Sequence, residues 1–331
     1  MRIQTLSLFP YQIPLKNHQM REGVLLHVVD QLGNSGWGEI APLPKWSRET
    51  LKEALAELIQ KKQDLLNHIW EKSTCLKELA KFDLCPSLTF GFESALFSIL
   101  NPLPSIFIPV SALFMGSVEE IMQQATLRYA EGFTSAKLKV SNLTFKEAES
   151  IIALLKNRFR LRIDVNRAWN TKESLDFFSQ YSFDAFDYVE EPFQNPQDLT
   201  LFQLPLAVDE SFPHDLSLED LEKIPALKAV IYKPTIQGGL LGCLDLHEWT
   251  LKKGISLVLS SSFESDIGLA HVASLAKRLS LTASVGLGTY HYLSQYLNTY
   301  HLQFSNAHIH IPERIIPKLE DDPSVFQLRS T

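Results

Sequence analysis

The sequence predicts an α/β protein: a (β/α)7β barrel carrying a smaller α+β unit built from the N-terminal region and the C-terminal tail. Two observations predict the barrel. From Ala136 to Ser265, short apolar segments (AKLKV, LRIDVN, YVEEP, LAVDES, VIYKP and LVLSSS) alternate with helix-like stretches, and each ends in polar or charged residues. The spacing between those polar ends is roughly 20–28 residues, one strand–helix repeat of such a barrel. A third observation, strands followed by a run of helices before residue 101, predicts the α+β unit.

Taken in order, IQTLSLFPYQ reads as a first strand, and VLLHVVD and SGWGEI flank the turn QLGN. The polar stretch Leu15–Gly23 reads on composition as a solvated connection, with a mobile lid as the alternative because binding loops are polar and exposed. APLPKWS then turns the chain. Ser47 is the expected N-cap of the helix RETLKEALAELIQKKQDLLNHIW, whose leucines fall at helical spacing. PSLTFGFESALFSIL reads as an apolar helix, and the Pro-rich NPLPSIFIP marks a boundary near residue 101. The expected division is 1–100 for the α+β unit, 101–291 for the barrel and 292–331 for a segment returning to the first unit. VSALFMG opens the barrel, SVEEIMQQATLRYAEG is its first helix with Gly132 past the end, and ASVGLGTY closes it.

Composition narrows the function classes. A chain of 331 residues fits one barrel plus something smaller, and 45% hydrophobic with 21% charged residues describes a folded chain. The net charge of −7 leaves no basic surface for nucleic acid or an anionic membrane. Cys75, Cys85 and Cys243 are odd in number and lack CxxC spacing, which suits a reducing compartment. Gln4, Thr5, Pro10 and Pro14 break the first apolar run, so it does not read as a signal peptide. Ser105–Met115 is too short to span a bilayer. The expectation is a soluble cytoplasmic protein acting on a small molecule, with its oligomeric state open.

Strand ends converge on one mouth of a parallel barrel. Here they bring Asp164, Glu190 and Asp209, and buried carboxylates would repel one another without a cation. A single acid at such a place is more often an N-cap; acids on successive strands argue for a metal. An all-oxygen set suits a hard divalent ion, Mg2+ first and Mn2+ as the substitute. Glu191, beside Glu190, must point to the other side of the strand and is left to the barrel wall or to a place behind the metal ligands. Lys137 and Lys139, as Lys-x-Lys, face one side of their strand, and an adjacent cation would lower the pKa of a lysine base. Lys233 would enter from the opposite wall. A metal and lysines on both faces describe proton abstraction beside a carboxylate. His308 and His310 lack a third ligand nearby and read as packing residues. Ser261 and Ser262 lie in no GxSxG elbow and read as hydrogen-bonding groups for a substrate rather than nucleophiles.

The order KxK, D-x-N, E-E-P, D-E-S and K-P on successive strands resembles the enolase superfamily, in its muconate-lactonising branch. GWGEIAPLPKWSRET, PSLTFGFESAL, LRIDVNRAWN, VIYKPTIQGG and SSSFESDIGLAH extend the resemblance over nearly the whole chain. Within the branch they point to a dehydrating enzyme rather than to its N-succinylamino acid racemases or dipeptide epimerases. The resemblance implies a modified TIM barrel under a capping domain, with Mg2+ on Asp164, Glu190 and Asp209. It makes Lys139 the base that removes an α-proton and then protonates a leaving hydroxyl, with Lys137 tuning it. Lys233 would stabilise the enediolate as a cation. Asn166 and Arg162 would sit beside metal or substrate, Ser261, Ser262 and Glu264 would line the pocket, and Lys16–Gly23 would be a lid. Racemisation uses both lysines as alternating bases, and both are present, so the residues specify the half-reaction better than the product. A non-catalytic binding protein is disfavoured because no expected position is missing.

Overall fold

β1 (Ile3–Pro14) and β2 (Met20–Asp30) form a long antiparallel hairpin, paired from Ile3↔Asp30 to Pro14↔Met20, and β3 (Ser35–Ile40) pairs with β2. The structure, a computed structural model, describes residues 1–16, 19–101, 106–300, 302–311, 315–318 and 326–329. The hairpin reaches into the expected lid: Met20–Gly23 are strand, and Leu15 N–H donates to Gln19 O at 2.7 Å. Asn17 and His18, the middle of that expected loop, lie outside the described residues. Within the strand part, Met20 and Glu22 face out by alternation, while Arg21 is buried.

α1 (Leu51–Asn67), α2 (Cys75–Ala80) and α3 (Pro86–Leu100) follow, and the core they share with the sheet includes Leu6, Leu26, Leu58, Trp70 and Phe92. Thr50, not Ser47, caps α1. Only Thr50 has an acid at N3, and Thr50 and Glu53 satisfy each other's backbone N–H groups. The Ser47 hydroxyl instead accepts from Leu43 N–H at 2.9 Å and shapes the preceding turn.

β4 (Ile106–Pro109) leads into the barrel. Its strands are β5 (Ala112–Phe114), β6 (Ser135–Lys139), β7 (Arg160–Asp164), β8 (Tyr188–Glu190), β9 (Leu206–Val208), β10 (Leu227–Tyr232) and β11 (Ser256–Leu259). Neighbours in this order pair in parallel. Parallel bridges Val110↔Val285 and Ser260↔Gly286 join the two edges, giving a TIM-barrel-like α/β fold. The outer helices are α4 (Val118–Ala130), α5 (Phe145–Leu155), α6 (Thr171–Phe178), α7 (Leu218–Leu221), α8 (Pro234–Gln237), α9 (Gly239–Lys253) and α10 (Asp266–Arg278). Ser117, Thr144, Asn170 and Ser217 begin α4 to α7 with an acid three residues on, and each pair closes a capping box. These boxes place the helix starts just after the strand ends.

The tail does two things. β13 (His308–Ile311) pairs with β4 on one side and with β12 (Gln303–Ser305) on the other, and His308 stacks on Phe107 as a packing residue, with centroids 4.3 Å apart. β14 (Phe326–Arg329) adds to the first sheet beside β1. No described helix is long and apolar enough to cross a membrane.

Two buried glutamates of the first unit dock it on the barrel. Glu39 of β3 accepts from Ser265 N–H and Gly268 N–H at 2.8 Å each, and from the Tyr11 and Ser265 hydroxyls, at the start of α10. Glu93 of α3 accepts from Leu240 N–H and Leu241 N–H at the start of α9. Helix N-termini leave N–H groups unpaired and favour negative charge, so each carboxylate satisfies donors that the barrel cannot.

His271 of α10 lies between the two units, beside Phe97 of α3 and Leu240 of α9, and its Nε2 has no hydrogen-bond partner. Burial, only partly offset by the Trp37 backbone, pushes its imidazole down to about 4. The unfolded chain, titrating near 6.5, therefore binds a proton that the folded chain refuses. This stability is whole above about pH 6.5 and is lost as pH falls toward 4. Denaturant titrations between pH 7 and pH 4.5 should show stability falling with acid. His271→Gln should remove up to about 1.4 kcal/mol per pH unit of that slope; an unchanged slope would refute the assignment.

Candidate active site

The register of the barrel strands assembles the site. Lys139 is level with Asp164, and Asp164 with Glu190; Lys137 is level with Arg162, and Arg162 with Tyr188. Inward positions near the floor hold Tyr188, Ala207, Ala229, Ile231 and Val258, an apolar plug, so the polar groups collect at the mouth. A cavity there is lined by Lys137, Lys139, Arg162, Glu190, Lys233, Ser261 and Ser262. Leu43 and Trp46 reach it from the turn after β3, and the Lys233 ammonium lies 5.6 Å from the centroid of the Trp46 ring.

Charge is packed closely beneath the cavity. Lys137 Nζ lies 2.6 Å from Glu190 Oε1 and 2.9 Å from Asp164 Oδ2, and Lys139 Nζ is 3.6 Å from the same Asp164 oxygen. Lys233 Nζ donates to Asp209 Oδ2. Burial pushes the Asp164 and Asp209 carboxyls up, but Lys137 with Lys139, and Lys233 with Lys137, outweigh it and hold both below the usual range. Glu190 goes the other way: burial, then repulsion from Asp164, raises it well above an ordinary carboxyl. Burial would lower the Lys137 ammonium, yet Asp164 and Glu190 together raise it well above the lysine range. The lysine pair is not two bare cations in contact, because Lys137 is committed to carboxylates.

A hard divalent cation fits this donor set. Carboxylate oxygens of Glu190, Asp209 and Glu210 lie within 4.8 Å of one another, and Glu190 Oε2 and Glu210 Oε2 are buried without a hydrogen-bond partner. Buried acids this close, with two oxygens left unpartnered beside the lysine pairs, call for further positive charge, and oxygen donors suit Mg2+. Asp164 is not in that trio and is joined to it through Lys137. Strand alternation would have aimed Glu210 away from Asp209, but β9 ends at Val208, so alternation no longer governs either residue. Glu191 accepts from Asp209 N–H at 2.8 Å and from the Ser211 backbone at 3.0 Å and hydroxyl at 2.5 Å. It braces the loop that carries the acids.

The remaining predicted residues separate. Arg162 is fixed by Asp187 at 3.0 Å and Ser284 O at 2.8 Å, and it lies against Tyr188 while lining the cavity. Asn166 does not line it; its side-chain oxygen accepts from Lys139 Nζ at 3.1 Å and so orients that amine. The Ser261 hydroxyl is engaged with Gly286 O at 2.9 Å and Thr289 at 2.6 Å. Ser262 lines the cavity, and its Oγ is buried without a hydrogen-bond partner. Glu264, expected in the pocket wall, turns away from it. Its carboxylate accepts from Thr235 at 2.6 Å and from Ser262 N–H at 2.5 Å, because a fully buried acid must find donors. Sequence reasoning missed Trp46, Arg21, Glu39 and Glu93. A lone charge inside an apolar run, as in GWGEI and TFGFESAL, was the available signal for the two glutamates.

Residues 3–99 match the family profile "MenC, N-terminal domain", and residues 120–315 match "Enolase C-terminal domain-like". The chain is 29% identical to the o-succinylbenzoate synthase of Aliivibrio fischeri over 318 residues, covering 90% of this chain and 94% of that one. It is 31% identical to the o-succinylbenzoate synthase of Yersinia enterocolitica over 301 residues, covering 86% and 89%. In fold it is similar to the L-Ala-D/L-Glu epimerase from Bacillus subtilis, with a TM-score of 0.84 at 19% identity over 96% and 99% of the two chains. MenC from Desulfotalea psychrophila superposes with a TM-score of 0.77 at 20% identity over 94% and 100%. A magnesium-complexed enolase superfamily member from Roseovarius nubinhibens gives 0.81 at 17% identity over 98% and 99%.

Proposed function

The chain belongs to the enolase superfamily and, within it, to the o-succinylbenzoate synthase family. From that membership we propose that the barrel mouth dehydrates 2-succinyl-6-hydroxy-2,4-cyclohexadiene-1-carboxylate to o-succinylbenzoate, a step of menaquinone biosynthesis. The observation that carries the reading is the single cavity lined by Lys137, Lys139 and Lys233 above the buried carboxylates. The first unit acts as a capping domain, contributing Leu43 and Trp46 to the wall.

Asp164, Glu190 and Asp209 are the proposed Mg2+ ligands, with Glu210 beside them. When bound, the ion supplies Lewis acidity toward the substrate carboxylate, which makes the adjacent carbon acid strong enough to ionise. Lys139 takes the α-proton on Nζ, its amine aimed by Asn166. The electron pair of the broken C–H bond passes toward the carboxylate, where Lys233 balances the charge from another strand. The C–O bond to the ring hydroxyl then breaks. Lys139 returns its proton to the departing oxygen, water leaves, and the ring becomes aromatic. Lys137 holds Glu190 and Asp164 in place by its ion pairs. Ser262, a residue of the cavity wall whose hydroxyl has no partner, is the proposed hydrogen-bonding group for the substrate.

The test is turnover of the cyclohexadiene by purified protein, with Mg2+ and then with EDTA. Metal-dependent loss of the diene absorbance is expected. No turnover, together with α-proton exchange into N-succinylamino acids, would move the reading to the racemases of the superfamily.

A further inference from the structure

Arg21 lies on the hairpin strand β2 and is 2% exposed, yet among the described residues its guanidinium donates only to backbone carbonyls. Nε reaches Phe263 O at 2.9 Å, Nη1 reaches Pro42 O at 2.7 Å and Glu22 O at 3.2 Å, and Nη2 reaches Ala41 O. Burying a cation is costly even when it is hydrogen-bonded, and a well-packed apolar side chain would serve stability as well. The arrangement therefore calls for a reason beyond stability.

The acceptors supply one. Ala41 and Pro42 begin the turn that carries Leu43 and Trp46, and Phe263 ends the stretch that carries Ser261 and Ser262. Both segments are walls of the same cavity. Phe263 also holds a left-handed φ of 59°, a conformation that a bulky L residue adopts only when its surroundings impose it. Arg21 grips the carbonyl of that residue.

We propose that Arg21 is a positioning residue for substrate: it ties the Leu43–Trp46 wall to the Ser262–Phe263 wall, so that the capping sheet sets the width of the site. This rests on the reading of the cavity as the substrate site. The residues that move the proton and hold the metal stand on, or directly after, β6 to β10, and Arg21 hydrogen-bonds to none of them, so its loss acts on binding rather than on chemistry.

Arg21→Met tests this by steady-state kinetics, Mg2+ titration and hydrogen exchange on the same preparation. KM should rise about tenfold or more, since a small misplacement of a binding wall is enough for that. The value of kcat should stay within about threefold and Mg2+ affinity should be unchanged. Amides of residues 41–46 and 261–265 should exchange at least about tenfold faster while the barrel strands keep their protection. A wild-type KM, or wild-type protection of both segments, overturns the proposal. If R21M does not fold, R21K, which keeps the charge and fewer directed donors, should show the same pattern at smaller amplitude. If the wild-type protein shows no turnover, the functional reading fails on its own, and the exchange measurement still decides the role of Arg21.

Discussion

Lys139→Ala should lose turnover by about 10³-fold or more while the protein folds and binds Mg2+ as before. Lys139 is the amine that the proposed mechanism uses twice, once to take the α-proton and once to return it to the leaving hydroxyl. Among the described residues, neither other lysine of the cavity is free to replace it. Lys137 is held by Glu190 and Asp164, and Lys233 is held by Asp209. The cost to the fold is small because Lys139 is half-buried and, among the described residues, its polar partners are Asn166 and, at 3.6 Å, Asp164. Initial rates, a thermal melt and a Mg2+ titration on one preparation check all parts. Turnover within tenfold of wild type would remove Lys139 from the base's role. A matching loss of Mg2+ affinity would mean that its effect runs through Asp164.

Glu190→Gln should weaken Mg2+ binding by more than the roughly 10–100-fold that changes behind the ligands cost. It should not destabilise the metal-free protein. Glu190 is fully buried among Asp164, Asp209 and Glu210, and its Oε2 has no hydrogen-bond partner. A neutral amide of the same size relieves that repulsion, and Lys137 keeps its pair with Asp164 at 2.9 Å. In the wild type, Mg2+ at 100 times its Kd should add about 2.7 kcal/mol to unfolding. In E190Q the same concentration should add little. Calorimetric melts with and without Mg2+ give both numbers, and an equal Mg2+-induced rise in the two proteins would exclude Glu190 as a ligand.

Several helix starts in the barrel were readable because local rules agree there. Short apolar runs, Ser, Thr or Asn caps with an acid three residues on, and regular spacing all place a helix after each strand. Where two caps competed, as at Ser47 and Thr50, the reciprocal bond to Glu53 decided. The candidate site was legible where strand alternation holds, at Lys137, Lys139, Arg162, Asp164 and Glu190. Just beyond the strand ends it was legible in part: Asp209 and Lys233 meet at the site as read, while Glu210 and Glu264 were not readable. Glu210 joins the acids and Glu264 leaves the pocket because loop backbone, not a two-residue period, aims their side chains.

What the sequence determined by itself is the barrel rhythm and the identity of the groups brought to its mouth, since both follow from local periodicity and strand direction. What only the tertiary structure decided is how the first unit meets the barrel. Glu39, Glu93 and Arg21 act on groups more than a hundred residues away in the chain, at Ser265, Leu240 and Phe263. A buried charge chooses its partners from whatever donors and carbonyls the fold leaves unpaired nearby, and no local pattern encodes that choice.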